Sequence, residues 1–183
     1  MNYHNITKKD MLNGEGFRTV LWTAGCEHHC EECQNPLTWD KCGGLLFDDE
    51  ARKEVIDSLS NEITSGLTLS GGDPLATYNR ADILELVKEV KDKYPDKDIW
   101  SYTGYTYEQL LEDETASEIL KYIDVLVDGK YMKDLRDVSL NWRGSSNQRL
   151  IDVPKSLEAG KVILFGKNEN QLYEEQLTCE CGC

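Results

Sequence analysis

Histidine is scarce in this chain and confined to its start. His4, His28 and His29 all precede residue 30, which speaks against a Ser-His-Asp or Cys-His mechanism assembled from distant parts of the sequence. No apolar run approaches the ~18 residues of a membrane span. The opening MNYHNITKKD also lacks the apolar region of a signal peptide. The expected location is therefore the cytoplasm, with no membrane partner. Basic residues are in the minority: 20 Lys and Arg against 34 Asp and Glu give a net charge of −14. Such a field repels nucleic acid, whose binding requires cationic neutralisation of phosphates, so no nucleic-acid partner is expected. No repeat, low-complexity segment or linker divides the 183 residues. One domain over residues 1–170 is expected, followed by a cysteine-rich tail at 171–183.

Cysteine is the residue in evidence. There are seven, an odd number in short clusters, which does not read as a secreted disulfide framework. Cys26, Cys30 and Cys33 form a Cys-x3-Cys-x2-Cys triplet inside LNGEGFRTVLWTAGCEHHCEECQNPLTW, the stretch from Leu12 to Trp39. Thiolates in such density select zinc or iron–sulfur clusters over hard cations. A structural zinc site wants four protein ligands, and His28, His29 or Cys42 could complete one here. A [4Fe-4S] cubane ordinarily takes four cysteines. Held by three, it would keep one iron open for chemistry.

Around the triplet the sequence alternates β-rich and helical patterns. Strands are expected at Arg18–Thr23, Gly66–Leu69, Asp98–Tyr102 and Ile123–Val127, with later ones near Gln148–Val153 and Lys161–Phe165. FDDEARKEVIDSLS reads as a helix capped by Asp48, with acids in its first turn. In YNRADILELVKEVKDKY, Ile83, Leu84, Val87 and Val90 follow one helical face. YEQLLEDETASEILKY reads as helical, in one or two pieces, and Pro154 opens a short helical turn. Strands alternating with helices imply βαβ units and a parallel sheet. The chain is shorter than the ~250 residues of an eight-fold barrel. The expected fold is therefore α/β, a partial open barrel with a parallel sheet and flanking helices. In such folds sites gather at the C-terminal ends of strands. The cysteine loop, SGGDP, YTGY and VDGKY all fall there.

Taken singly, several of these motifs have plain readings. Gly71-Gly72-Asp73 is an ordinary strand-to-helix turn, or a place where backbone approaches a ligand and Asp73 accepts from its ammonium group. His28 and His29 are solvated loop residues or metal ligands. Cys42 is a bystander thiol or a reserve ligand. Cys179, Cys181 and Cys183 are incidental thiols of a tail or a second metal site.

The triplet's spacing resembles that of the radical S-adenosylmethionine enzymes. Further matches occur in order: NGEGFRTVLWTAGC, CQNPLTW, LTLSGGDPL, DIWSYTGYTYEQL, DVLVDGKYMKDLRD and LNWRGSSNQRLIDV. Over about residues 1–153 the chain resembles the family of activating proteins of anaerobic ribonucleoside-triphosphate reductase. The resemblance implies a radical S-adenosylmethionine fold with one [4Fe-4S] cluster on Cys26, Cys30 and Cys33. It further implies S-adenosylmethionine bordered by Glu32, Cys33 and Gln34 at the nucleoside and by Gly71, Gly72 and Asp73 at the methionine end. The implied reaction is hydrogen abstraction from a glycine Cα of the large reductase subunit, which installs a glycyl radical. A flavodoxin- or ferredoxin-type protein would donate the electron. Glu32 and Gln34 stand where the family has a small residue and a tyrosine. One rival reading is a radical enzyme acting on a small molecule, such as a 7-carboxy-7-deazaguanine synthase. The other is a non-enzymatic zinc or iron–sulfur scaffold.

Overall fold

A computed structural model of the chain describes residues 1–166. The tail cysteines Cys179, Cys181 and Cys183, and the boundary expected near residue 170, lie outside the described residues.

The chain begins with β1 (Asn2–Asp10), which turns back through residues 11–16 into β2 (Phe17–Thr23). The cysteine loop follows, then the two-residue β3 (Leu45–Leu46) and α1 (Asp49–Leu59). Two strand–helix units come next: β4 (Thr64–Gly71) with α2 (Arg80–Lys93), and β5 (Asp98–Tyr102) with the short helices α3 (Tyr107–Leu111) and α4 (Glu114–Leu120). The last strands are β6 (Val125–Asp128) and β7 (Arg149–Asp152), and α5 (Val153–Ala159) follows directly. All form one seven-stranded sheet in the order β3-β1-β2-β4-β5-β6-β7.

The wholly parallel sheet expected from the sequence is corrected. β2, β4, β5 and β6 are parallel, whereas β1 and β3 on one side and β7 on the other pair antiparallel. A parallel neighbour needs a crossover connection, and β1 and β2 are joined by too few residues for one. The sequences of β1 and β3 also carry little β signal: NYHNITKKD is polar, and β3 is two residues long. The strand expected at Lys161–Phe165 is reduced to a single bridge from Leu164 to Ile151.

Side-chain alternation along the strands gives the sheet two unlike faces. Leu21, Leu67, Leu69, Ile99, Leu126 and Ile151 point to the helices and form the core with Val55, Leu59, Leu86, Val87 and Leu110. Local signals hold the helices in place. Asp48 caps α1 by accepting from the Ala51 amide, and Thr106 with Gln109 forms a capping box on α3. On α2 the buried stripe is Ile83, Leu86, Val87 and Val90, while Leu84 is only partly covered. No helix among the described residues is long and apolar enough to cross a membrane.

The opposite face is polar and aromatic, and a fully buried arginine organises its lower half. Arg18 donates to Thr68 Oγ1 at 2.6 Å, to the Leu67 carbonyl at 2.7 Å and to the Glu15 carbonyl at 3.1 Å. It pairs with Asp98 at 2.6 Å, and its guanidinium lies 5.3 Å from the centre of the Trp100 ring. Trp100 in turn meets Trp142 and Phe165 edge to face. Above this layer, at the C-terminal ends of the parallel strands, a cavity opens.

Candidate functional site

The cavity measures about 490 Å³ and is walled by the turns that leave β2, β4, β5 and β6. This size is within the range of small-molecule and cofactor sites. Cys26, Cys30 and Cys33 line it from the loop after β2; Gly71, Gly72 and Asp73 line it from the turn after β4. Tyr102, Thr103 and Gly104 contribute from β5, and Gly129, Tyr131, Trp142, Arg143 and Gln148 from the long connection to β7.

The cysteine loop is closed at its neck by backbone hydrogen bonds. Gly25 N donates to Thr38 O at 2.7 Å and Cys26 N to Trp39 O at 3.1 Å. The glycine turn is laced to the same neck: Gly72 N donates to Thr23 O at 2.8 Å and Asp73 N to Gly25 O at 2.7 Å. Both glycines have a structural need for their lack of a side chain. Gly71 has φ +101°, and a Cβ there would lie 2.7 Å from Thr23 O; one on Gly72 would lie 2.4 Å from Gly25 O. The close backbone approach inferred for a ligand is thus also an approach of the chain to itself.

The three thiols are unpaired and partly buried. Burial pushes the Cys26 thiol up to about 11, and Asp73 and the other two thiols push the same way. The Cys30 thiol is raised as well, again by burial first. Reactive nucleophilic cysteines need a lowered pKa, so these two thiols are not set up as free nucleophiles; as ligands they would give up their protons to the metal they bind. Cys33 Sγ accepts from the Asn35 amide at 3.4 Å. Among the described residues, no three His, Cys, Asp or Glu side chains converge as a single metal ion requires. A zinc ion needs its ligands about 2.0–2.3 Å from one point, whereas a cubane takes each thiolate on a different iron and tolerates wider spacing.

The two loop histidines have other partners. His28 Nε2 lies 2.7 Å from Asp73 Oδ2, and His29 packs edge-on against Trp39. Cys42 is exposed and does not line the cavity. Of the residues expected at the nucleoside, Gln34 and Cys33 line the cavity, whereas Glu32 turns outward. Glu32 has φ +55°, and its carboxylate pairs with Lys133 Nζ at 2.9 Å beside Glu31, also at 2.9 Å.

The wall from residues 129–148 escaped sequence reasoning in detail, although VDGKY and RGSSNQR marked its ends. Gln148 organises it: Oε1 accepts from Gly144 N at 2.9 Å and Ser145 N at 3.2 Å, while Nε2 donates to Gly129 O at 3.0 Å. Arg143 Nη1 donates to Gln148 O at 2.7 Å. Arg149 fastens the end of the wall. It donates from Nη1 and Nη2 to the two Glu108 oxygens at 3.0 and 2.8 Å, and from Nε to Asp128 Oδ1 at 3.0 Å. Arg149 holds the Glu108 carboxyl down at about 2.

Residues 12–151 match the family described as a 4Fe-4S single cluster domain. The chain is similar to the anaerobic ribonucleoside-triphosphate reductase-activating protein of Pasteurella multocida, 47% identical over 150 residues that cover 81% of this chain and 95% of that one. The protein of the same name from Enterobacteria phage T4 is 49% identical over 82% of this chain and 93% of its own. The one from Escherichia coli K12 is 43% identical over 81% and 96%.

Proposed function

The chain belongs to the family of anaerobic ribonucleoside-triphosphate reductase-activating proteins, and from that footing we propose that it is a radical S-adenosylmethionine activase. Its substrate in this reading is a glycine of the large reductase subunit, which loses a Cα hydrogen atom and becomes a glycyl radical. The mixed sheet with its parallel centre would be the half-barrel of this enzyme class. A flavodoxin- or ferredoxin-type protein would deliver the electron, in the cytoplasm.

The observation that carries the proposal is the meeting of three thiols and the glycine turn in one cavity at the parallel strand ends. Cys26, Cys30 and Cys33 would hold a [4Fe-4S] cluster, and with three protein ligands it would supply an open coordination site for the amino and carboxylate groups of methionine. When bound, the cluster supplies the electron that breaks the sulfonium bond, releasing methionine and leaving the 5′-deoxyadenosyl radical to take the hydrogen. The rest is the work of the chain's own residues. Gly71 and Gly72 would border the methionine end, with Asp73 beneath them, and the backbone of residues 32–34 the nucleoside. Trp22, Tyr102, Tyr131 and Trp142 line the cavity and would keep water from the reacting carbon.

The test combines anaerobically reconstituted protein, dithionite, S-adenosylmethionine and the reductase, followed by electron paramagnetic resonance. A glycyl doublet on the reductase with formation of 5′-deoxyadenosine is the expected result. Cleavage without that doublet would shift the reading to a small-molecule substrate. Absence of both cluster and cleavage would overturn it.

A further inference from the structure

We infer that His28 is a positioning residue that, through Asp73, fastens the cysteine loop to the ends of β4 and β5. The thiols and the methionine end of the ligand are thereby held in one frame. This deepens the activase reading and rests on it.

The inference begins with Asp73, whose side chain is 1% exposed. Its carboxylate takes the Leu75 amide on Oδ1 at 2.8 Å and the Gly104 amide on Oδ2 at 3.0 Å. Thr103 Oγ1 lies 3.0 Å from each oxygen, and His28 Nε2 lies 2.7 Å from Oδ2. A carboxylate offers about four lone-pair sites, and these partners fill them. Asp73 therefore has no free acceptor for an ammonium group and acts on the ligand through His28 and the turn, without touching it.

His28 is built into this arrangement. Of the residues between Cys26 and Cys30, Glu27 and His29 are exposed, while the His28 side chain is 14% exposed. Its ring stands edge-on to Tyr105, with centroids 4.7 Å apart. On its other flank is Gly104, where an added Cβ would fall 2.3 Å from His28 Cδ2 and 2.6 Å from Cγ and Nε2. The ring thus fills a slot shaped by the turn after β5. The loop's other side-chain ties in this region, from Lys133 to Glu31 and Glu32, are exposed ion pairs, a class that contributes little. Beside the backbone bonds at the neck, from Gly72 N to Thr23 O and from Asp73 N to Gly25 O, the buried link is the side-chain tie that fixes where Cys26 and Cys30 stand relative to Gly71 and Gly72.

The experiment uses the full chain in four variants: His28→Ala, His28→Gln, Asp73→Asn and the His28→Ala/Asp73→Asn pair. Iron and sulfide content are measured first. S-adenosylmethionine affinity is then read from the change it causes in the resonance signal of the reduced cluster. His28→Ala should keep its iron and lose at least tenfold in affinity. His28→Gln, which can restore a donor to Asp73, should recover to within threefold, and the pair should bind no worse than its weaker member. Unchanged affinity in His28→Ala beside a loss in Asp73→Asn would place Asp73 on the ligand and overturn the inference. Loss of iron in His28→Ala that His28→Gln does not restore would overturn it by making His28 a ligand. A wild-type chain that does not bind S-adenosylmethionine would sink the activase reading itself. The link between the two turns has a separate test in the metal-free chain. Gly104→Ala should lower the urea midpoint, and in a His28→Ala background by less than half as much; an equal loss in both would refute the slot.

Discussion

Replacing Arg18 by Met tests whether the polar face beneath the cavity is a structural girder. The guanidinium is fully buried and holds the Leu67 and Glu15 carbonyls, Thr68 Oγ1 and the Asp98 carboxylate. Methionine fills similar volume but donates nothing. Removing one member of a buried ion pair costs about 3–5 kcal/mol. Here the Asp98 side chain is 40% exposed and can recover water. The Thr68 hydroxyl keeps its bond to the Asn13 carbonyl at 2.9 Å, so the Leu67 carbonyl has the least recourse, at roughly 1–3 kcal/mol for a group left unsatisfied. A net loss of about 2–4 kcal/mol follows once the retained packing is allowed for. For a chain of this size, that is a fall in melting temperature of roughly 4–16 °C. Urea unfolding of the metal-free protein by circular dichroism, with midpoint and slope both fitted, measures it. Arg18→Lys should fall between, since it keeps the charge and loses the fork. A Met variant within about 0.5 kcal/mol of wild type, the level of an ordinary surface substitution, would refute the reasoning.

Glu108 should make an acid-side contribution to stability. Its carboxyl is held at about 2 by Arg149, below the ordinary 4.5, so the contribution is full above about pH 4.5 and is lost as pH falls towards 2. Because Glu108 is 57% exposed, Glu108→Gln should cost only about 1 kcal/mol at pH 6 and nothing near pH 2, by denaturant titration across pH. Gly71→Ala combines a left-handed backbone with a Cβ 2.7 Å from Thr23 O, and should destabilise by about 2 kcal/mol or more in the same assay. Ser in place of Cys26, Cys30 or Cys33 should each abolish cluster retention, measured as iron and sulfide per chain. Ser in place of exposed Cys42 should retain it.

The parts of this structure that were legible in the sequence are those whose signals are local. The strand Asp98–Tyr102, the cap at Asp48 and the buried stripe of α2 all rest on neighbours within a turn or two. The thiol triplet and the glycine pair were equally visible, being short motifs at strand ends. What stayed hidden depends on partners far apart in the chain. β1 is polar and acquires its place only by pairing with β2. Arg18 looked like an ordinary strand residue, because nothing nearby announces Asp98 or Trp100. His28 looked like a loop histidine, since its partner Asp73 is 45 positions away. A histidine set between two presumed ligands was the one hint available. Glu32 shows the converse, as its backbone stays with the loop while its side chain leaves for Lys133.

The wall between Asp128 and Arg149 has a consequence for how such a chain can change. The thiols are crowded into the single stretch Cys26–Cys33 and the glycine turn leaves β4 directly, so a residue inserted in either would shift the reacting groups. The wall is instead a long loop whose far end is clamped by Arg149 to Asp128 at its start and to Glu108. With its ends fixed, lengthening it costs little, since even doubling a flexible loop adds only about 0.6 kcal/mol of closure entropy. The rim can therefore change in length without moving the thiols or the glycine turn, provided that Tyr131, Trp142 and Arg143, which line the cavity, are kept.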